Sequence, residues 1–312
     1  MGAAADAPIR RPPNNQLAIE GPDVATGRIE GPGAIAGITS QLVFHVSPLS
    51  AKGMLSQQVE DAIKALDKAN GAATILKLRA FVVGTGDLRR VQAIVNDLFT
   101  IRKWPLPVVT TIQAGAFPLE GAQVMIEAIS EEKKIVNPTG LLFVPAVEGA
   151  SGSAAMAALK SAMGSSASAM LRVTCFADSL AEADAARAAA ARAFPKSAGV
   201  FLQSTRYTMG TKVACEGIAQ GGPTRSAKVL FTAQQFGFNE DAAGMIEKMD
   251  RALESQGAKR TNSALIEVYG TSLAVAAKAR AAMSPAPATA VFIEGLPALD
   301  ATIAMEAAIP ID

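Results

Sequence analysis

Three glutamates stand at a near-constant interval in this sequence of 312 residues: Glu127, Glu216 and Glu306, 89 and 90 residues apart. Each interrupts an apolar run, IEAI around Glu127, CEGI around Glu216 and MEAA around Glu306. A carboxylate on a strand face beside an apolar cleft can have a raised pKa and act as a general acid or base. It can equally accept hydrogen bonds from a neighbouring segment and fix an interface. The interval itself says more, because a fixed period of that size marks repeated structural units.

The elements around the glutamates repeat with them. In the first repeat the residues predict a strand over 41–46 and a helix from about 56 to 70. Val59, Ile63 and Leu66 form one apolar stripe of that helix, with Glu60, Asp61, Lys64 and Asp67 on its other face. Asn70-Gly71 stops it. Residues 75–83 alternate as a strand, with Leu76, Leu78, Ala80 and Val82 on one face and Lys77, Arg79 and Phe81 on the other. Asp87 then caps a second helix carrying Leu88, Val91, Val95 and Leu98, and a two-strand hairpin ends at the glutamate.

The same register carries Ile63 to Met156 and Met249, Leu66 to Leu159 and Ala252, and Gly71 to Gly164 and Gly257. Ser179 and Ser272 fall where the second helices of the later repeats need caps. The chain therefore divides into a tail and extended arm over 1–32 and repeats over 33–134, 135–221 and 222–312. The arm, with Ile19-Glu20-Gly21-Pro22 echoed by Ile29-Glu30-Gly31-Pro32, is expected to pack on the first repeat.

Composition narrows the partners. Half of the residues are hydrophobic and 18% charged, enough apolar material for a core. Net charge is +1 and aromatic content 5%, which supplies neither the basic footprint nor the stacking platforms of a nucleic-acid binder. No apolar run reaches the roughly 18–20 residues of a membrane-spanning helix, so no membrane partner is expected. The expected compartment is cytoplasmic, with export after removal of a leader as the alternative that AAADAPIRRPPNNQ suggests.

One histidine, His45, and two cysteines, Cys175 and Cys215, offer no metal-ligand cluster, so neither metal nor cofactor is expected. The cysteines read as small buried hydrophobes whose pairing stays open. His45 reads as a packed strand residue. Gly84-Thr85-Gly86 reads as a turn, without the context of a phosphate loop.

The hairpin over 106–130, LPVVTTIQAGAFPLEGAQVMIEAIS, with its Pro118-Leu119-Glu120-Gly121 turn and Ile126-Glu127-Ala128-Ile129 ending, resembles the C-terminal hairpin of the Rid family of reactive-intermediate deaminases. This family was once described as translation-inhibiting endoribonucleases. The resemblance runs over about 33–312 as three divergent copies. It implies an α+β fold of three chorismate-mutase-like units forming an intramolecular pseudo-trimer around a barrel-like core, with ligand clefts between units. Such a chain is expected to be a monomer or a small oligomer.

In the family an arginine at the start of the hairpin grips the substrate carboxylate. The matching positions here are Val109, near Ala198, and Ala288 or Thr289, none of them basic. The resemblance makes Glu127, Glu216 and Glu306 candidate catalytic residues. It makes Gln92, Thr110 and Thr111 candidates for substrate binding, and Arg206 a candidate displaced cation. Each has a plain alternative: an exposed helical glutamine, threonines that are good β-formers, and a solvated turn arginine.

The expected function is binding, or hydrolytic deamination, of a small imine or enamine metabolite at an inter-repeat cleft. The alternative is a non-catalytic ligand-binding or scaffold protein with degenerate clefts. RNA cleavage is disfavoured by the neutral charge.

Overall fold

The computed structural model describes residues 34–39, 42–84, 88–131, 140–165, 169–204, 211–221 and 227–311. The chain runs β1 (Ala34–Thr39), β2 (Leu42–Val46), α1 (Leu55–Asn70), β3 (Thr74–Val83), α2 (Leu88–Ile101), β4 (Val108–Ala114) and β5 (Val124–Glu131). It continues through β6 (Leu141–Gly149), α3 (Gly152–Met163), β7 (Ala169–Ala177), α4 (Leu180–Ala193), β8 (Ala198–Gln203) and β9 (Val213–Gln220). The last third holds β10 (Ala227–Thr232), β11 (Gln235–Phe238), α5 (Ala242–Glu254), β12 (Leu265–Gly270), α6 (Leu273–Ala281), β13 (Ala288–Phe292) and β14 (Ala301–Ile311).

Strand order repeats with this sequence of elements. One sheet is β2-β5-β3-β4 and the next β6-β9-β7-β8; the third is β1-β10-β14-β12-β13, with β11 also on β14. In each, the middle strand pairs in parallel with the strand after its helix and antiparallel with the last strand of the unit.

Helix stripes are buried much as their periodicity requires. Val59, Ile63 and Leu66 of α1 are buried, as are Met156 and Leu159 of α3 and Met249 of α5. In α5 the next core residue is Leu253, one place beyond Ala252, which is half-buried. Gly71, Gly164 and Gly257 all have positive φ, 59°, 64° and 72°, a backbone region that excludes most side chains. Ser179 and Ser272 accept the N–H of Glu182 and Val275 as N-caps. Three copies of one unit fit this arrangement.

Two expectations change. The core is not a closed barrel: the three sheets are separate and meet through side chains and isolated backbone bonds such as Gly115 N–H to Phe292 O and Gln203 N–H to Gly295 O. The strand that follows the N-terminal arm, β1, pairs antiparallel with β10 and forms an edge of the third sheet. Cys175 and Cys215 are directly opposed on β7 and β9 and are joined as a disulfide, not left as separate small hydrophobes; a cross-strand Cα separation of 4.2 Å brings the two sulfurs together. The arm over 19–32 and the Asp87 cap lie outside the described residues.

Candidate functional site

The middle strand of each sheet carries the residue that opposes the glutamate. Arg79 of β3 faces Glu127, Thr174 of β7 faces Glu216 and Glu267 of β12 faces Glu306. Two places further along, Phe81, Phe176 and Tyr269 occupy matching positions; two places back stand Lys77, Arg172 and Leu265. Both faces of these strands are covered, one by its own helices and the other by the neighbouring sheets. The face that bears the charges is therefore interior.

Lys77, Arg79, Arg172, Glu127, Glu216, Glu267 and Glu306 are each at most 5% exposed and form one layer. Arg79 donates through Nε to Glu216 Oε1 at 3.0 Å and through Nη1 to Glu267 Oε1 at 2.5 Å. The same Nη1 lies 3.6 Å from Glu127 and 3.7 Å from Glu306. Lys77 Nζ is 2.8 Å from Glu216, and Arg172 Nη1 is 2.7 Å from Glu306 Oε2. Tyr269 donates its hydroxyl to Glu306 Oε1 at 2.7 Å. Residues far apart in the chain thus meet across all three sheets. Apolar side chains close the layer on both sides, Phe81, Phe176, Val200 and Val291 among one cluster and Leu141, Leu171, Ile218 and Phe231 among the other.

Burial of this kind separates the carboxyls. Burial pushes Glu127 well above the usual carboxylate range, with the Glu267 charge adding to it, so Glu127 holds its proton. Burial also raises Glu306, to about 7, with Arg172 opposing. Burial would raise Glu216 and Glu267 as well, but Arg79 overcomes it in both, aided by Lys77 at Glu216 and Arg172 at Glu267, and both are held low. Lys77 is brought down to about 8 by burial. Above about pH 7, where Glu306 has given up its proton, three cations balance three carboxylates, with one proton on Glu127.

A cleft of about 810 Å³ opens beside this layer between the first and third sheets. Its walls come from β2 and the following turn, including Phe44, Val46 and Leu49, and from Ala277, Ala281 and the 284–290 stretch. Thr289 sits at its floor and donates its hydroxyl to Glu127 Oε1 at 3.5 Å. Arg280 lines the cleft, its Nε donating to Ala288 O at 2.8 Å. A second cavity of about 20 Å³, room for one water-sized molecule, lies behind the shared wall residues Phe44 and Leu265 against Lys77, Arg79, Glu127, Arg172 and Glu267.

The second and third sheets meet differently. Gln234 is buried against β8, its N–H donating to Gly199 O at 3.0 Å and its Oε1 accepting from Phe201 N–H at 2.9 Å.

Such a frame has solved counterparts. A chorismatase is similar to this chain at a TM-score of 0.54 and 11% identity, over 87% of this chain and 99% of that one. TdcF of E. coli, solved with bound serine, matches at a TM-score of 0.27 and 19% identity over 33% of this chain and 94% of its own. A member of the YjgF/UK114 family from Mycobacterium tuberculosis matches at 0.23 and 21% identity over 27% of this chain and 84% of its own. Rid-type neighbours thus each match about a third of this chain, and at this identity the chorismatase likeness concerns the fold. No family model matches the sequence, and no curated protein sequence does.

The structure gathers some of the sequence candidates and separates others. Glu127, Glu216 and Glu306 share the layer. Thr110 is buried with its hydroxyl near Glu216, helping to lower that carboxyl, while Thr111 is half-buried on the opposite face of β4. Gln92 is exposed on α2, away from the cleft lining, and Arg206 lies outside the described residues. His45 is half-buried and lines the cleft.

Arg79, Lys77, Arg172, Glu267, Tyr269 and Arg280 were not candidates. A charge inside an otherwise apolar strand, as in MLRVTCF or LIEVYG, is the sequence signal that four of them carry. No group of His, Cys, Asp and Glu that could hold a metal is found among the described residues, and no helix among them is long and apolar enough to cross a membrane.

Proposed function

We propose that the chain is an intramolecular pseudo-trimer with one working cleft, between its first and third units, and that this cleft binds a small carboxylate-bearing metabolite and hydrolyses its imine or enamine nitrogen. The observation that carries the reading is Arg280. β13 lacks a basic residue where the Rid resemblance calls for one, yet Arg280 is tethered to Ala288 O, the backbone at that position, inside an 810 Å³ cleft. A guanidinium held there is suited to a planar carboxylate.

Thr289 touches the ligand and Glu127 acts through it. At rest the Thr289 hydroxyl donates to Glu127; in the proposed step it turns its hydrogen to the imine nitrogen and accepts in its place the proton that burial keeps on Glu127. Water then adds to the carbon and its proton returns to the relay. The relay next protonates the amino nitrogen of the adduct, the C–N bond breaks to release ammonia, and the hydroxyl proton of the adduct goes back to the relay to leave a carbonyl. Glu216 and Glu306 hold the units together in this reading. The partner is a small molecule, and light scattering should show a monomer or small oligomer.

The test is calorimetric binding and ammonia release over a panel of carboxylate-bearing imines, with chorismate included because a chorismatase shares the fold. Arg280→Ala should weaken binding at least tenfold, about 1.4 kcal/mol. Glu127→Gln, checked for folding, should keep binding and lose turnover. Unchanged turnover in Glu127→Gln would remove the assigned role. A second reading, a binding protein without catalysis, is favoured by the ion pairing of Glu216 with Lys77 and Arg79; it expects tight binding and no ammonia from any member of the panel.

A further inference from the structure

The protein occupies one of its own inter-unit positions, and that self-contact describes what the open cleft should hold. Gln234 places a carbonyl oxygen on the Phe201 N–H of β8 and its own N–H on Gly199 O. β13 is the counterpart of β8: Val200 pairs with Thr174 as Thr289 pairs with Glu267, so Ala288 and Ala290 stand where Gly199 and Phe201 do. On β13, Pro287 O and Ile293 N–H bond to residues of the β12 segment, while Phe292 O turns away to accept Gly115 N–H. Strand alternation therefore aims the N–H of Ala290 away from β12, at the cleft that Ala290 lines.

The first unit cannot fill this place as the third fills its own. Ser47 bonds Ile126 as Gln235 pairs with Met305, so Val46 takes the position of Gln234, and its side chain has no polar atom. Arg280 Nε already supplies the donor to Ala288 O that Gln234 N–H supplies to Gly199 O. What is left over is an acceptor oxygen for Ala290 N–H beside a guanidinium, and the space. A volume of 810 Å³ falls within the roughly 300–1,000 Å³ of sites that enclose drug-sized ligands, far more than a short acid fills. Its outer walls, Leu49, Pro118, Ala277, Ala281 and Pro285, are apolar.

We infer, on the basis of the function proposed above, that the cleft selects a carboxylic acid with a bulky apolar body, its carboxylate shared between Ala290 N–H and Arg280 and its body lying against Leu49, Pro118, Ala277, Ala281 and Pro285. Short two- and three-carbon acids use the polar end alone.

Propionate, 3-cyclohexylpropionate and 3-cyclohexylpropionamide separate the parts, measured by calorimetry with the weak ligands read by competition. On the wild-type chain, 3-cyclohexylpropionate should bind at least tenfold more tightly than either propionate or the amide. Ala281→Trp, which narrows the outer slot at an exposed position, should remove that advantage over propionate and leave propionate unchanged. Equal affinities for the two acids, or an Ala281→Trp chain that keeps the difference, would overturn the size selection. If Arg280→Ala leaves every affinity unchanged, or no acid binds at all, the cleft reading itself fails.

Discussion

Replacing Arg79 by Met tests whether the charged layer is what joins the three units. The guanidinium is 4% exposed and reaches Glu216 and Glu267 directly, with Glu127 and Glu306 within 3.7 Å. Methionine fills much of the same volume without the charge. With Glu127 protonated, Lys77 and Arg172 are then left against three carboxylates, and one buried carboxylate is uncompensated. Breaking a buried pair in this way costs about 3–5 kcal/mol. At roughly 2 °C per kcal/mol for a chain of this size, the thermal midpoint should fall by roughly 6–10 °C at pH 8.

The loss should shrink in acid. An uncompensated carboxyl has its folded pKa raised above its unfolded value, so its penalty is absent below the unfolded pKa and grows as pH rises toward the folded one. Each pH unit in that window is worth about 1.4 kcal/mol. Thermal unfolding of wild type and Arg79→Met at pH 5 and pH 8 measures both effects. The double variant Arg79→Met with Glu216→Gln, which removes the surplus charge, should recover most of the loss. A loss under about 1 kcal/mol at pH 8, or one equal at both pH values and untouched by Glu216→Gln, would refute the layer as an energetic link.

Other outcomes follow from the same residues. Glu306, raised by burial from an ordinary 4.5 to about 7, keeps a proton in the folded chain that the unfolded chain gives up, so its contribution to stability falls as pH rises from about 4.5 to 7; thermal midpoints across that window should fall in wild type relative to Glu306→Gln, and parallel curves would exclude it. Tyr269→Phe removes a donor from Glu306 and should cost about 1–3 kcal/mol, more at pH 8 than at pH 5, because the lost hydrogen bond favoured the ionised carboxyl. The Cys175–Cys215 bond spans a separation of 40 residues, for which loop closure is worth about 4 kcal/mol, and the paired alanine variant should unfold at a correspondingly lower temperature. Thiol titration of the denatured, unreduced chain should find no free thiol among these two, and two free thiols would contradict the bond.

Local pattern carried a large part of this protein. The spacing of Glu127, Glu216 and Glu306, the stripes of α1 and α3, the caps at Ser179 and Ser272 and the glycine stops at Gly71, Gly164 and Gly257 are all decided within a few residues of chain. Periodicity reports which side chains share a face, and it placed Lys77, Arg79 and Phe81 together on one face of β3. It does not report what covers that face. A strand with lysine and arginine on one side reads as solvated until two further sheets are packed against it.

Convergence across units belongs to the tertiary structure alone. Glu216 finds Lys77 and Arg79, and Arg172 finds Glu306, because three sheets that do not hydrogen-bond into one barrel bring their middle strands together through side chains. The same packing decided that Cys175 and Cys215 are joined, that β1 crosses to the third sheet, and that Gln234 fills one contact while Val46 leaves its counterpart open. Sequence alone set the near-constant spacing of three carboxylates and the helices, caps and turns around them, since those depend on neighbours along the chain. Which carboxyl keeps its proton and which cleft stays open depend on burial and on partners more than a hundred residues away, and only the folded chain brings those partners within reach.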